Sequence, residues 1–151
     1  MKLNNEIWAF IPARSGSKSI KDKKIIILKK KPLLAHSLIV AKNCKRIDKV
    51  IFSSDSNKYF TIANKYGNFI KHERKKKISS DKSTDFDVFY DFVKNYKGTL
   101  PRFFVHLRPT TPFRDANLID KVISNFVKNQ KKYSSLRSLS LMTNPSYKSV
   151  V

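Results

Sequence analysis

The sequence is poor in cysteine, histidine and glycine, with one, three and three residues respectively. The lone Cys44 cannot form an internal disulfide, which excludes a disulfide-rich secreted scaffold and favours a reducing compartment, the cytoplasm. The same scarcity leaves no Cys/His spacing for a zinc finger. The longest apolar runs, Ile7–Ile11 and Ile25–Leu28, fall short of the roughly 18 residues that a membrane span needs. No secretory signal is expected either, since a basic region followed by a long apolar stretch is missing at the N-terminus.

Acidic residues are also scarce, because 11 Asp and Glu stand against 32 Lys and Arg, a formal net charge of +21. Such an excess can bind polyanions, since Lys and Arg neutralise phosphates and release counterions. Here the excess is mostly lysine and is spread along the whole chain, whereas a dedicated nucleic-acid surface concentrates arginine and exposed aromatics. We interpret the charge as compositional bias plus a general attraction for anionic ligands, and we do not expect nucleic acid to be the partner.

The apolar pattern of the 151 residues predicts one domain, 1–151, in which strands alternate with helices. This order is typical of an α/β fold with a doubly wound, mostly parallel sheet. The predicted strands are Glu6–Pro12, Lys49–Ser53, Arg102–Leu107 and Ser135–Met142. Helices are predicted over Pro32–Asn43, Ser56–Tyr66, Phe86–Tyr96 and the apolar face from Leu118 to Val127, and a loop over His72–Lys82.

Three polar loops follow predicted strands: Ala13–Lys24, Ser53–Asp55 and Arg108–Arg114. Ligands of doubly wound sheets bind outside the carboxyl ends of the strands, so these loops mark the expected site. In the first loop, Ser15, Gly16 and Ser17 allow backbone N–H groups to approach a phosphate, with Arg14 and Lys18 beside them. The spacing matches neither a Walker A loop nor a GxGxxG fingerprint. From spacing alone, a phosphate-binding loop and an ordinary Ser/Lys-rich surface turn remain equal alternatives.

Several motifs, taken in order, resemble those of the acylneuraminate cytidylyltransferases. The first loop, IPARSGSKSIKDKKI, resembles that family's IPARGGSKGIPxKNI signature, and Lys31-Pro32-Leu33 resembles its GKPLI helix start. Further matches are DKVIFSSD at Asp48–Asp55, the Arg74, Asp81 and Ser83 spacing, LRPTTPFR at Leu107–Arg114, and the SLRS and YK landmarks at Ser135–Ser138 and Tyr147-Lys148. The resemblance implies a Rossmann-like nucleotidyltransferase fold of the nucleotide-diphospho-sugar transferase type.

The resemblance also implies a function. Such enzymes transfer CMP from CTP to the anomeric hydroxyl of an acidic nine-carbon 2-keto sugar and release pyrophosphate, with Mg²⁺ as the cofactor. By resemblance, Arg14 and Lys18 are the catalytic residues that hold the triphosphate, and Arg108, Thr110, Thr111 and Pro112 line the substrate side. The nucleotide-binding residues are then Ala13, Arg14, Ser15, Gly16, Lys18, Lys24, Arg74, Asp81 and Ser83. Asp55 either orients a ribose hydroxyl or caps the loop, and Tyr147-Lys148 either meets the sugar or marks a strand end.

This sequence departs from the family pattern at Ser19, Lys21 and Lys24, where relatives carry Gly, Pro and Asn, and at Arg108 in place of Gln. No acidic residue follows Asp120, so no metal ligands are assigned within the chain. The chain is expected to lack the family's C-terminal third, which supplies the homodimer segment. The alternatives to an active cytidylyltransferase are therefore an inactive truncated remnant and a basic nucleic-acid-binding α/β module. Within the cytidylyltransferase interpretation, the SLRS and YK landmarks favour sugars of bacterial surface glycans such as lipopolysaccharide or capsule.

Overall fold

A computed structural model describes residues 3–16, 20–80 and 82–139. Four parallel strands form the central sheet in the order β5-β4-β1-β6, and a separate antiparallel hairpin pairs β2 with β3. The strands are β1 (Leu3–Pro12), β2 (Ile27–Leu28), β3 (Lys31–Pro32), β4 (Lys49–Ser54), β5 (Ile70–Glu73) and β6 (Leu100–His106). The helices are α1 (Leu33–Asn43), α2 (Asn57–Ala63), α3 (Asp85–Asn95) and α4 (Ala116–Asn129), with short 3₁₀ turns at Lys23–Ile25 and Lys76–Ile78.

The central strand β1 is apolar on both sides because helices cover both faces of the sheet. Ala9 and Ile11 belong to a buried cluster with residues of α1 and α2, whereas Trp8 and Phe10 belong to a second cluster with residues of α3. The alternation of strand side chains thus divides one apolar run between two cores. This arrangement confirms the predicted doubly wound parallel fold.

The chain divides into two compact units, one ending at Asp120 and the other beginning at Lys121. The first contains the sheet, α1, α2, α3 and the first turn of α4. The described part of the second contains the remainder of α4 and an irregular segment up to Leu139. No helix in the described ranges is long and apolar enough to cross a bilayer.

Three local predictions differ from the structure. The predicted loop His72–Lys82 begins inside strand β5, because His72 turns inward at an edge strand whose other residues are only partly covered or exposed. The β2–β3 hairpin was not predicted, since each strand has only two residues. The strand predicted over Ser135–Met142 is wrong for Ser135–Leu139, where every side chain is exposed and no strand forms; the rest of that range lies outside the described residues.

Candidate functional site

A cleft of about 130 Å³ opens at the carboxyl ends of the strands in the first unit. It lies where the strand order reverses, since β1 leads through α1 to β4 on one side, while β6 lies on the other side of β1. Doubly wound sheets bind their ligands at this switch point. The lining residues are Pro12, Arg14, Lys24, Arg74, Ser80, Ser83, Thr84, Asp85, Val88, Arg108, Pro109 and Thr110.

The loop after β1 is held by groups at the end of β4. Asp55 accepts hydrogen bonds from the backbone N–H of Ser15 at 2.7 Å and from its hydroxyl at 3.1 Å. The buried Ser54 hydroxyl donates to the Ala13 carbonyl at 2.7 Å, and the Ala13 N–H donates to the Ser53 carbonyl at 2.8 Å. Asp55 therefore holds the loop through Ser15, which agrees with the capping alternative.

Four basic side chains line the cleft: Arg14, Lys24, Arg74 and Arg108. The pKa of Lys24 is lowered by burial first and then by the positive charges of Lys23, Arg14, Arg74 and Arg108. Burial lowers the pKa of Arg74 to about 10, against a smaller raising effect of nearby carboxylates, so its guanidinium is charged at neutral pH. Mutual repulsion among these groups favours an anion in the cleft.

The start of α3 contributes the carboxylate among the cleft-lining residues, Asp85. Asp85 accepts a hydrogen bond from Nη2 of Arg108, and its Oδ2 lies 3.9 Å from Nδ1 of His106. Burial lowers the pKa of His106, although Asp85 acts in the opposite direction. Arg108 is also linked through its carbonyl, which accepts a hydrogen bond from Arg114 at 2.9 Å. An ion pair therefore joins the loop after β6 to the first turn of α3.

The structure places the described site residues at one end of the sheet, some lining the cleft and others beside it. Arg14, Lys24, Arg74, Ser83, Arg108 and Thr110 line it. Ala13, Ser15, Gly16, Thr111 and Pro112 lie in the two adjoining loops without lining it, and the Thr111 N–H closes a turn on the Arg108 carbonyl at 3.2 Å. Lys18 and Asp81 lie outside the described residues.

The sequence did not single out the contribution of α3 or of the residues behind Arg74. Thr84, Asp85 and Val88 reach the cleft because α3 starts beside the ends of β1 and β6. Ser53 and His72 lie beneath Arg74, whose Nε donates to the Ser53 hydroxyl at 2.9 Å. A carboxylate directly after a Ser-Thr pair is a helix-start signal, so nothing in the local pattern distinguished Asp85 from an ordinary N-terminal residue.

The described residues do not fit a metal site made by the protein alone. Within residues 3–16, 20–80 and 82–139, no three His, Cys, Asp or Glu side chains lie close enough together to hold an ion. The cleft carboxylate Asp85 is paired with Arg108, in a surrounding of positive charge. Mg²⁺ usually needs one or two carboxylates together with substrate phosphates, and the described lining of the cleft supplies only this paired carboxylate.

Comparison with known proteins decides the family. Residues 8–145 match the protein family described as cytidylyltransferase. The chain belongs to the cytidylyltransferase family. This confirms the resemblance inferred from the loop motifs. The cleft at the switch point is therefore the cleft of a protein from a nucleotidyltransferase family.

Curated relatives from three bacteria are similar over most of the chain. N-acylneuraminate cytidylyltransferase of Escherichia coli O18:K1:H7 is 34% identical over 145 residues, 95% of this chain and 33% of that protein. Pseudaminic acid cytidylyltransferase of Campylobacter jejuni is 31% identical, covering 82% of this chain and 54% of that protein. CMP-N,N'-diacetyllegionaminic acid synthase of Legionella pneumophila is 29% identical, covering 89% and 59%. The chain therefore spans only a third to three fifths of these relatives.

Solved structures share the fold. CMP:2-keto-3-deoxy-manno-octonic acid synthetase complexed with CTP superposes with a TM-score of 0.68 at 14% identity, covering 83% of this chain and 48% of that one. The 4-diphosphocytidyl-2C-methyl-D-erythritol synthase structure has a TM-score of 0.61 at 12% identity, covering 82% and 55%. At these identities the likeness shows the fold alone, which agrees with the predicted nucleotidyltransferase architecture.

Proposed function

We propose that this chain binds CTP and transfers its CMP group to the anomeric hydroxyl of a sialic-acid-like 2-keto sugar acid, releasing pyrophosphate. The observation that carries the proposal is the set of four basic side chains, Arg14, Lys24, Arg74 and Arg108, around the cleft at the carboxyl ends of β1 and β6. A nucleoside triphosphate carries the negative charge that this cleft attracts. Membership of the cytidylyltransferase family supports cytidine as the nucleoside.

The reaction needs positioning and charge stabilisation. The anomeric oxygen of the sugar forms a bond to the α-phosphorus of CTP, and the bond from that phosphorus to the bridging oxygen breaks. The electron pair leaves with pyrophosphate, while the proton of the sugar hydroxyl passes to water. Arg14, Lys18, Lys24 and Arg74 would stabilise the charge that develops on the leaving pyrophosphate. Ala13, Ser15, Gly16, Asp81 and Ser83 would shape the nucleotide site around them.

The proposed acceptor is an acidic sugar, and the relatives' names support this choice, since they refer to N-acylneuraminate, pseudaminic acid and N,N'-diacetyllegionaminic acid. Arg108 is the cation suited to its carboxylate, and Thr110, Thr111 and Pro112 would line the boundary between nucleotide and sugar. A panel of neuraminic, legionaminic, pseudaminic and eight-carbon acids, assayed by pyrophosphate release, identifies the acceptor. Such sugars serve bacterial surface glycans, and their activation would take place in the cytoplasm.

Magnesium and a homodimer remain predictions of the family resemblance. When bound with substrate phosphates, Mg²⁺ would neutralise their charge, and this chain's basic side chains would do the same from the protein side. Pyrophosphate release should stop on addition of EDTA and resume with excess Mg²⁺. Light scattering of the purified chain measures its oligomeric state: a dimer would support the family expectation, and a monomer would agree with the expected lack of the homodimer segment.

Substitution of the loop cations tests the proposed site. Arg14→Ala and Lys18→Ala should each raise the Kd for CTP about tenfold or more, because each removes a charged hydrogen-bond donor to phosphate. Arg102→Ala and Lys97→Ala are matched controls, since both are exposed near the amino end of β6. Arg102 precedes Arg108 by six residues, roughly 20 Å of strand, so the controls should change the Kd by less than about twofold. Unchanged affinity in both loop variants would show that the site is wrong.

A further inference from the structure

A hydrogen-bond network of four side chains connects Asp91 on α3 with Arg74 in the cleft, through His72 and Ser53. Arg74 Nε donates to Ser53 Oγ at 2.9 Å, and Ser53 Oγ lies 2.9 Å from His72 Nδ1. His72 Nε2 lies 3.0 Å from the Asp91 carboxylate on α3. This network therefore joins β4, β5 and α3 to one of the basic side chains that line the cleft.

One arrangement of protons satisfies every hydrogen-bonding group in this network. The Arg74 Nε–H can only donate, so it occupies a lone pair of the Ser53 oxygen. The Ser53 hydroxyl can then donate to Nδ1 of a neutral His72, whose Nε2–H donates to Asp91. Burial lowers the pKa of His72, against the raising effect of Asp91, which agrees with the neutral ring. Asp91 thus selects the tautomer that orients the Ser53 hydroxyl.

The centre of this hydrogen-bond network is rigid because Ser53 and His72 are buried. Ser53 is fully buried and His72 is 7% exposed. The His72 ring lies 5.4 Å from the Phe92 ring and 6.2 Å from the Phe10 ring, measured between centroids. The Arg74 backbone N–H is also fixed, since it donates to the Ser54 carbonyl at 2.8 Å. Polar groups so deeply buried are costly unless they are paired, so the network holds one geometry.

We propose that His72, oriented by Asp91, is a positioning residue that acts through Ser53 to direct the Arg74 guanidinium at the phosphates of the nucleotide. This inference rests on the proposed function, which places Arg74 in the nucleotide site. The network holds Nε of Arg74 against Ser53, and Arg74 lines the cleft. Preorganised donors of this kind bind phosphate without first losing side-chain freedom.

Three variants separate positioning from packing. His72→Phe keeps an aromatic ring between Phe10 and Phe92 but removes both hydrogen bonds, and Ser53→Ala removes the acceptor for Arg74. Each should raise the Kd for CTP about tenfold, the loss expected for a hydrogen bond to a charged group. His72→Asn retains an amide oxygen that can accept from Ser53, so it should stay within about threefold of the original affinity. His36→Phe, on the opposite face in α1, is the matched histidine control and should leave the Kd within about twofold.

A double-mutant cycle with Arg74→Lys supplies the decisive readout. Lysine keeps the charge but has no Nε–H, so His72→Phe or Ser53→Ala in that background should change the Kd by less than about twofold. An equal loss in both backgrounds, or no loss in either, would overturn the proposal. Melting temperatures identify a variant that fails to fold, and the cycle is then read from the other substitution.

Inorganic tripolyphosphate is the second probe, because it tests anion binding without the base. If the unmodified chain binds tripolyphosphate but shows no preference for CTP, the proposed function fails while the cycle on tripolyphosphate still decides the role of His72. If it binds neither probe, both proposals are wrong. Coupling between His72 and Arg74 with both probes supports the positioning role.

Discussion

The side chains around the cleft form two groups: some line the cleft, and others hold the backbone of the loop beside it. Arg14, Lys24 and Arg74 line the cleft, whereas Asp55 and Ser54 hold the loop from which Arg14 projects. Residue types alone identified Arg14, because phosphate recognition needs cations, whereas Lys24 and Arg74 were identified through the family resemblance. Residue types left the role of Asp55 open, since its partner Ser15 lies 40 residues away in sequence.

At this scale Asp55 should be needed for nucleotide binding without touching the nucleotide. Asp55→Ala removes two acceptors from Ser15, each exposed bond being worth about 0.5 kcal/mol, so the Kd for CTP should rise roughly fivefold. Asp55→Asn keeps an oxygen for the Ser15 N–H and should lose less. Isothermal titration calorimetry measures both, and an equal loss in the two variants would indicate that charge, not loop geometry, is what matters.

His72 should make folding stability depend on pH. Burial lowers its pKa below the ordinary value of 6.5, so below that pH the unfolded chain binds a proton that the folded chain excludes. The free energy of unfolding should therefore fall as the pH decreases below about 6.5, by at most about 1.4 kcal/mol per pH unit for this group. His106 shifts in the same direction and contributes to the slope in every variant.

The measurement is urea unfolding of the original chain and of His72→Phe between about pH 7.5 and 5.5. The variant should lose less stability over this interval, because it has lost one titrating group. Parallel curves would contradict the assignment of a lowered pKa to His72.

At the scale of elements, the strongly apolar segments were predictable and the short or polar ones were not. Trp8 and Phe10 on one side, and Ala9 and Ile11 on the other, identify β1 as a strand covered on both faces. The edge strand β5 was not predicted, because its single buried residue is the polar His72, which is buried through bonds to distant residues. The start of α3 was predicted, but its position beside the cleft depends on tertiary packing that no local pattern records.

The N-terminus of α3 has a measurable stabilising cap. The Thr84 side chain accepts from the Asp87 N–H at 3.2 Å, and the Asp87 carboxylate accepts from the Thr84 N–H at 2.7 Å. Thr84→Ala should cost about 1 kcal/mol of unfolding free energy. Thr61→Ala is the matched control, since Thr61 is exposed and only donates back to the Asn57 carbonyl within α2, so its loss should cost less than about 0.5 kcal/mol. Equal destabilisation by the two variants would contradict the capping assignment.

The β2–β3 turn stores backbone strain. Lys29 and Lys30 have φ values of 46° and 65°, in the left-handed region that glycine adopts without a steric penalty. Lys30→Gly should therefore raise the free energy of unfolding by roughly 0.5 kcal/mol, the relief of strain being partly offset by added freedom in the unfolded chain. Lys31→Gly, within β3, is the control and should lower it. Destabilisation by both substitutions, measured in urea, would contradict this account.

At the scale of the whole molecule, topology brings together loops that are distant in sequence. Parallel strands place the ends of β1, β4, β5 and β6 at one edge of the sheet, so the loops with Arg14, Asp55, Arg74 and Arg108 meet there. The place of the site could therefore be predicted from the order of strands and helices. The contribution of Asp85 and the network behind Arg74 could not, since they depend on which face α3 covers.

The net charge of +21 makes selectivity the central question, because a strongly basic chain attracts many anions. The salt dependence of binding distinguishes attraction by the overall charge from binding at a specific nucleotide site. Binding that depends only on counterion release falls steeply as salt increases and ignores the identity of the base. A built nucleotide site instead keeps a preference for one base at both salt concentrations, since contacts inside a cleft are screened less than those on the surface.

The most direct test is the melting temperature of the purified chain with Mg²⁺ and either CTP, ATP or duplex DNA, at low and high salt. A ligand that binds only the folded state stabilises it by RT ln(1 + [L]/Kd), about 2.7 kcal/mol at a hundredfold excess over Kd. The proposed function predicts a rise with CTP at both salt concentrations that exceeds the rise with ATP. A salt-sensitive rise with DNA and none with CTP would contradict it and would favour the basic nucleic-acid-binding alternative.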